Sequence, residues 1–171
     1  MGGLSAPVAL QVGLDTRFMF VHYSVHIDHP IEAVGAALAA GPSQWLPRFD
    51  GPDHAEVGPE IAGLGLRKKV SIEVGESLTA GDWIEVPVKW QATFVKQLFP
   101  VMVGRVELAP VDPHTTRLTV GGMYQPPLGD LGKQLDDALM HKVAEATVKE
   151  LAESIGKRLE AIASEGVNRP V

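Results

Sequence analysis

The sequence predicts an α+β fold, in which an antiparallel sheet is followed by one long helix. Segments in which apolar and polar residues alternate, separated by turn-forming residues, occupy most of the chain as far as Tyr124. Residues from Leu131 to about Ala163 contain no proline and are rich in helix-forming residues. A chain of 171 residues is the size of one domain. We divide it into an N-terminal extension (1–16), a single domain (17–165) and a C-terminal tail (166–171).

The first predicted element is a strand from Phe18 to Asp28. Apolar residues recur at every second position of this segment, as on a strand with one face in the core. These core-facing residues are Met19, Val21, Tyr23, Val25 and Ile27. A helix is predicted to begin at Pro30, because proline suits the first turn, and Asp28 or His29 is predicted to cap it.

A second short helix is predicted after Gly41 and Pro42, with Ser43 as its cap and Trp45 among its apolar residues. Four further strands are predicted beyond a loop that is rich in glycine, proline and aspartate. They extend from Leu66 to Val74, Trp83 to Val95, Pro100 to Ala109 and Thr115 to Tyr124.

The order of these elements resembles the helix-grip fold of the START and birch-pollen-allergen-like superfamily (SRPBCC), including its polyketide cyclase/dehydratase-like branch. The residues that carry the resemblance are the strand-to-helix junction 27–34 and the segment 124–132 before the last helix. The resemblance implies a curved sheet that grips the long helix, with two short helices after the first strand. It also implies an apolar cavity between the sheet and the C-terminal helix.

Strand register can be predicted by requiring every inward position to be apolar or small. Pairing Leu108 with Leu118 meets this requirement in the last hairpin, and the same procedure pairs Trp90 with Val106. The predicted inward rows are Val88-Leu108-Leu118, Trp90-Val106-Val120, Ala92-Gly104-Gly122 and Phe94-Met102-Tyr124. The row of small residues forms a trough, which either holds an apolar ligand or reflects glycines that bend the sheet and allow close helix packing.

The long helix carries apolar residues at intervals of four, so its apolar stripe winds slowly around the axis. The stripe consists of Leu135, Leu139, Val143, Thr147, Leu151, Ile155 and Leu159. Burial of such a stripe requires a curved sheet or a kinked helix, although ordinary core packing also explains it.

Several kinds of chemistry have little support in the sequence. The chain has no cysteine, and its six histidines form no metal-binding motif, so neither a metal site nor a cofactor is predicted. His141 lies four residues from Asp137 and from Glu145, which indicates pairing on a helix surface. The net charge of -6 argues against nucleic-acid binding. No acid-base pair is identifiable.

One positively charged side chain, that of Lys68, is a candidate for the lining of the predicted cavity. The predicted register places Lys68 opposite Trp90 on the inner face, although a bulge could turn it outward and a lysine on an edge strand also guards against aggregation. The other side chains that could orient a ligand at an apolar wall are Tyr124, Gln125, Trp90 and Trp45.

We therefore predict a protein that binds a small hydrophobic or lipid-like molecule between the sheet and the C-terminal helix, for transport, sequestration or sensing. The predicted ligand-binding residues are Trp45, Lys68, Trp90, Ala92, Phe94, Met102, Gly104, Val106, Val120, Gly122, Tyr124, Leu135, Leu139 and Val143. The alternatives are a polyketide cyclase/dehydratase-like enzyme and an interaction module without a pocket. No basic leader precedes Arg17 and no apolar stretch is long enough to span a membrane, so a cytoplasmic location without stable membrane insertion is predicted.

Overall fold

The computed structural model describes residues 18–47, 54–57, 60–61, 64–65, 68–92, 101–125 and 137–167. The helices in these ranges are α1 (Ile31–Ala39), α2 (Pro42–Trp45) and α3 (Asp137–Val167). The strands are β1 (Met19–Ile27), β2 (His54–Val57), β3 (Glu60–Ile61), β4 (Leu64–Gly65), β5 (Lys68–Val74), β6 (Leu78–Ala80), β7 (Trp83–Ala92), β8 (Met102–Asp112) and β9 (Thr115–Tyr124).

The main sheet is antiparallel and has the strand order β1-β9-β8-β7-β5-β2, with β6 paired to β7. Strands β3 and β4 form a separate hairpin. The predicted fold class is confirmed, since two short helices follow the first strand and the long C-terminal helix packs against β1, β9 and α1. The sequence did not predict β6, a short strand whose residues are all exposed.

The register of the last hairpin is confirmed. Leu108 faces Leu118, Gly104 faces Gly122 and Met102 faces Tyr124, as predicted. The hairpin also contains a bulge between Pro110 and Asp112. The inward side chains of Met102, Val106 and Tyr124 are buried, and Leu108, Leu118 and Val120 are fully enclosed.

The predicted register between β7 and β8 is wrong by four residues. Trp90 faces Met102 instead of Val106, and Val88 faces Gly104. A shift by an even number of residues leaves every side chain on the same face of the sheet, so the apolar pattern alone could not exclude it. The row that contains both glycines is therefore Val88-Gly104-Gly122.

The same error affects the pairing of β5. Trp90 faces Ile72, so the prediction that Lys68 lies opposite Trp90 is wrong. The observed pairing of β5 with β7 begins at Val70 and Ala92. Lys68 lies at the start of β5 and pairs with Val57 of β2 on the other side.

The predicted helix caps are also wrong. Pro30 is the N-cap residue of α1, and neither Asp28 nor His29 makes a side-chain capping bond. His29 instead accepts a hydrogen bond at its backbone oxygen from the buried Thr116 hydroxyl, at 2.8 Å. Gly41 replaces Ser43 as the N-cap of α2, because its φ of 103° makes a turn that favours glycine.

Two glycines allow the helices to approach the concave face of the sheet. A Cβ atom on Gly156 of α3 would lie 2.9 Å from Cγ2 of Val25. A Cβ atom on Gly35 of α1 would lie 2.8 Å from Cδ1 of Ile84. The buried side of α3 carries the predicted Leu151, Ile155 and Leu159. Ala144, Val148, Ala152 and Ala163 of α3 are buried as well.

Candidate functional site

The concave face of the sheet contains most of the predicted ligand-binding side chains that the structure describes. Trp90, Met102 and Tyr124 form one row across β7, β8 and β9, and each is less than a tenth exposed. Val106 and Val120 pair two rows away and are also buried. These side chains therefore belong to one continuous apolar surface.

The trough predicted from the small residues is occupied. A Cβ atom on Gly122 would lie 3.0 Å from Cη2 of Trp90, so the indole ring lies over the glycine. Trp90 and Gly122 belong to neighbouring rows, and the bulky side chain fills the space that the missing side chain leaves. The prediction that the row of small residues leaves an empty trough is therefore wrong at Gly122.

The second glycine of the row has a different role. A Cβ atom on Gly104 would collide with the carbonyl oxygen of Gly121 and would come within 2.7 Å of Cα of Gly122. Both of these atoms belong to the backbone of β9 and cannot move independently of the sheet. Gly104 is therefore explained by the close approach of two strands, one of the alternatives considered from the sequence.

A polar cluster lies at the end of the Trp90 row. The Tyr124 hydroxyl is 3.4 Å from Sδ of Met19 and 3.4 Å from Nδ1 of His141. The other ring nitrogen of His141, Nε2, is 3.3 Å from Oε1 of Glu145. The sequence indicated the pairing of His141 with Glu145 but not the contact with Tyr124, because that contact depends on where α3 crosses β1 and β9.

A cavity of about 280 Å³ lies on another part of the concave face, between α1, α2 and the β5–β7 strands. Leu38, Trp45, Val74, Ile84 and Val86 supply apolar walls, and Ser77 and Thr79 supply hydroxyl groups. Of the predicted ligand-binding residues, Trp45 lines this cavity. The others in the lining were not predicted, because the sequence does not indicate where α1 packs on β7.

Trp45 forms a fixed wall of this cavity. Its side chain is 1% exposed, and its indole nitrogen donates a hydrogen bond to the backbone oxygen of Leu38 at 3.0 Å. The same oxygen accepts a hydrogen bond from the backbone nitrogen of Gly41. The indole plane is thereby held against the end of α1.

The groove on the opposite side of α1 is wider and more open. It has a volume of about 480 Å³ and lies between α1 and the C-terminal part of α3. Small residues such as Ala33, Ala36 and Ala163 line it together with Ile162.

Several predicted site residues cannot be placed in the site. Phe94 and Leu135 lie outside the described residues. Lys68, Ala92, Leu139 and Val143 lie in described strands or in α3, but their side chains are outside the described part of the structure. The role predicted for these residues stays a prediction.

The described residues include no group of three or more histidine, aspartate or glutamate side chains that could hold a metal ion. No helix among them is both long and apolar enough to cross a membrane.

No protein-family model matches the chain, and no curated protein matches it in sequence. Solved structures match it in fold. Norcoclaurine synthase from Thalictrum flavum, a point mutant in complex with a transition-state analogue, is 9% identical with a TM-score of 0.54, over 91% of this chain and 99% of that chain. Zhui aromatase/cyclase from Streptomyces sp. R1128 is 15% identical with a TM-score of 0.50, over 89% of this chain and 97% of that chain.

A third solved structure, Ara h 8.0201, is 13% identical with a TM-score of 0.51, and the match covers 87% of this chain and 99% of that chain. Identities this low establish a common architecture and do not transfer a function. The strand order and the position of α3 agree with that architecture. The chain therefore has the helix-grip fold, as the resemblance identified from the sequence implied.

Proposed function

We propose that the protein binds a small, mainly apolar molecule on the concave face of its sheet, in the cavity beneath α1 and α2. The observation that carries the proposal is the cavity of about 280 Å³ with Trp45 as one wall. Ligand pockets of proteins begin at about 300 Å³, so this cavity suits a compact molecule such as a fused pair of rings. Such binding is sufficient for transport, sequestration or sensing.

The composition of the cavity wall supports an amphipathic ligand with one polar end. The apolar walls contributed by Leu38, Val74 and Val86 favour the removal of hydrocarbon surface from water. The hydroxyl groups of Ser77 and Thr79 can each donate or accept a hydrogen bond at the edge of the cavity. A small phenol or alcohol satisfies both requirements.

The location differs from the one predicted between the sheet and the C-terminal helix. At that location the ring of Trp90 already covers Gly122, so a ligand there requires the ring to move. A second binding surface at Trp90, Met102 and Tyr124 stays a prediction, as does the cytoplasmic location. Two neighbours in fold, an aromatase/cyclase and a synthase bound to a transition-state analogue, are consistent with small organic ligands.

The proposal can be tested with 2-naphthol, a two-ring phenol, by following the backbone amide signals of the ¹⁵N-labelled protein in NMR spectra. We expect saturable shifts at Leu38, Ser77 and Ile84. The informative variant is Ala39→Leu, because Ala39 is exposed and lines the cavity. Its matched control is Ala36→Leu, since Ala36 is an exposed alanine of the same helix that lines the opposite groove.

We expect Ala39→Leu to weaken 2-naphthol binding at least tenfold by filling the cavity mouth, and Ala36→Leu to bind like the unmodified protein. Equal binding by the two variants would contradict the proposal. Amide shifts confined to Trp90, Met102 and Tyr124 would move the binding site to the Trp90 row.

A further inference from the structure

We propose that the contact between Gly35 of α1 and Ile84 of β7 sets the size of the ligand that the cavity accepts, with a limit of two fused rings. The inference rests on the function proposed above, because both residues line the same cavity. A Cβ atom on Gly35 would lie 2.8 Å from Cδ1 of Ile84, which is closer than two such carbon atoms approach. The end of the isoleucine side chain therefore lies in the space that the glycine leaves.

The backbone conformation does not require a glycine at position 35. Gly35 lies in the middle of α1, where alanine occupies four of the nine positions. In a helix interior glycine is less favourable than alanine, because it loses more conformational freedom on folding. Among the described residues, the glycines with a positive φ are Gly41 and Gly81, so Gly35 makes no such turn. The feature that a side chain at this position would disturb is the close contact with Ile84.

A methyl group added to this glycine is expected to move the isoleucine and not the helix, because α1 is held near both ends. Before the helix, the Thr116 hydroxyl donates a hydrogen bond to the backbone oxygen of His29 at 2.8 Å. Near its last turn, the indole nitrogen of Trp45 donates to the backbone oxygen of Leu38 at 3.0 Å. Cδ1 is the end of a flexible side chain, so we expect its rotation to cost less than the loss of either hydrogen bond.

The cavity is the side toward which Ile84 can rotate. In the sheet, Ile84 pairs with Leu108 of β8 and with Thr79 of β6. Leu108 has no exposure to solvent, so its side of the pair is already filled. Thr79 lines the cavity together with Ile84. Cδ1 therefore enters the cavity when it is displaced, and the volume of about 280 Å³ decreases.

Ile84 is also the wall that limits larger ligands. The ring of Trp45 is fixed by its hydrogen bond, and Val86 is 3% exposed in the core. Ile84 is only partly buried, so its side chain is less constrained. A cavity of this size is at the lower end of the range for ligand pockets, which suits one ring or two fused rings. We expect a third fused ring to need the space that the Ile84 side chain occupies.

The test compares phenol, 2-naphthol and 2-anthrol, which carry the same hydroxyl group on one ring, on two fused rings and on three. Dissociation constants are measured by titration of the ¹⁵N-labelled protein, with the amide signals of Leu38 and Ser77 as the readout. We expect the unmodified protein to bind 2-anthrol more weakly than 2-naphthol by about tenfold or more, since small differences in fit to an apolar pocket have effects of this size. Ile84→Ala is expected to bind 2-anthrol at least as tightly as 2-naphthol, because it removes most of that wall.

Two further variants address the contact itself. Gly35→Ala is expected to weaken 2-naphthol binding by about tenfold or more and to leave phenol binding within about twofold, because only the larger molecule needs the space that Cδ1 enters. The double variant Gly35→Ala with Ile84→Val transfers one methyl group from the isoleucine to the helix and conserves the total volume. Because valine has no Cδ1, we expect the double variant to bind 2-naphthol as the unmodified protein does.

The matched control is Gly156→Ala. A Cβ atom on Gly156 of α3 would lie 2.9 Å from Cγ2 of Val25, so this substitution produces a comparable collision on the same face of the sheet. Neither of these two residues lines the cavity. We expect Gly156→Ala to lower the free energy of unfolding and to keep the order of affinities for the three phenols. An equal loss of 2-naphthol binding in this control would attribute the effect to destabilisation and would overturn the size limit.

A measurement without ligand follows the conformation of Ile84. The ¹³C chemical shift of its Cδ1 methyl group reports the side-chain rotamer, and we expect this shift to change in Gly35→Ala but not in Gly156→Ala. An unchanged shift in Gly35→Ala would show that α1 moves in place of the isoleucine, and it would overturn the inference.

Failure of this inference is distinguishable from failure of the proposed function. Absence of binding by all three phenols would refute the proposed function and the size limit together. If 2-naphthol binds the unmodified protein, two results would overturn the size limit alone. They are equally tight binding of 2-anthrol, and failure of Ile84→Val to restore 2-naphthol binding to Gly35→Ala.

Discussion

The indole ring of Trp90 lies over Gly122, with Cη2 at 3.0 Å from the position that a Cβ atom on the glycine would occupy. The two residues come from different strands, β7 and β9, that are separated by β8. The ring thus spans a neighbouring strand and fills the space that a pair of glycines would otherwise leave in the core.

Gly122→Ala is expected to destabilise the protein by about 1–3 kcal/mol, because the added methyl group overpacks a site bounded by a buried ring. The free energy of unfolding is measured by urea denaturation with tryptophan fluorescence as the signal. The control is Gly166→Ala, since Gly166 lies in α3 with nothing within 4 Å of its Cβ position. That substitution is expected to raise the free energy of unfolding by up to about 1 kcal/mol. An unchanged stability of Gly122→Ala would show that Trp90 moves aside easily.

Gly104→Ala is expected to be more harmful than Gly122→Ala. The new methyl group would collide with the carbonyl of Gly121, and relief requires β8 and β9 to separate. We expect a loss of roughly 3 kcal/mol or more, at the upper end of ordinary single substitutions. Thermal unfolding followed by circular dichroism ranks the two variants, and a smaller loss for Gly104→Ala would contradict the close strand approach.

Thr116→Val is expected to lower the free energy of unfolding by about 1–3 kcal/mol. The substitution keeps the shape of the side chain but removes the hydroxyl that donates to the His29 backbone oxygen at 2.8 Å, in a place where Thr116 has no exposure to water. Thr119→Val is the control, because the Thr119 hydroxyl bonds to Ser24 in an exposed position. We expect Thr119→Val to change the free energy of unfolding by no more than about 0.5 kcal/mol. Equal effects in chemical denaturation would indicate that the link between Thr116 and His29 contributes little.

Asp112 is expected to titrate below the ordinary range of an aspartate. The backbone N–H of His114 donates to Oδ1 of Asp112 at 2.8 Å, and this bond to the charged form lowers the pKa of the carboxyl group. A lowered pKa in the folded state adds stability that is fully present above roughly pH 4 and is lost as the pH falls through the lowered value. Carboxyl-detected NMR titration measures the pKa directly. Asp112→Asn is expected to reduce the dependence of stability on pH in the acid range, and an ordinary aspartate pKa would contradict the interpretation.

The fold was predictable because its main elements have strong local patterns. The alternation from Met19 to Ile27 identifies β1, and the buried face of α3 from Leu151 onward follows its predicted stripe. The β8–β9 register was predictable as well, since a short turn at 113–114 restricts the offset. Between β7 and β8 the connection is longer, and offsets of two or four residues preserve the inward pattern equally well. Local sequence therefore determined the faces of the strands but not their alignment.

The candidate site was less predictable for a related reason. Trp45 and Tyr124 were identified as groups able to orient a ligand, yet their partners depend on tertiary positions. His141 appeared as a surface residue paired with Glu145, and nothing in the local sequence relates it to a tyrosine 17 residues earlier. The sequence also does not indicate that α1 packs near Ile84 and Val86 of β7. Gly35, which permits close approach of α1 to Ile84, is the one local signal that could have indicated them.

The hydrogen bond from Trp45 to Leu38 also determines how a molecule could enter the cavity. It joins α2, a helix of four residues, to the last turn of α1, so separation of the two helices requires this buried hydrogen bond to break. On the opposite side, the segment between β5 and β6 is exposed at Glu76 and Ser77. We expect a ligand to enter the cavity past this segment between β5 and β6. The rate of ligand exchange is then expected to depend on how far the segment bends outward.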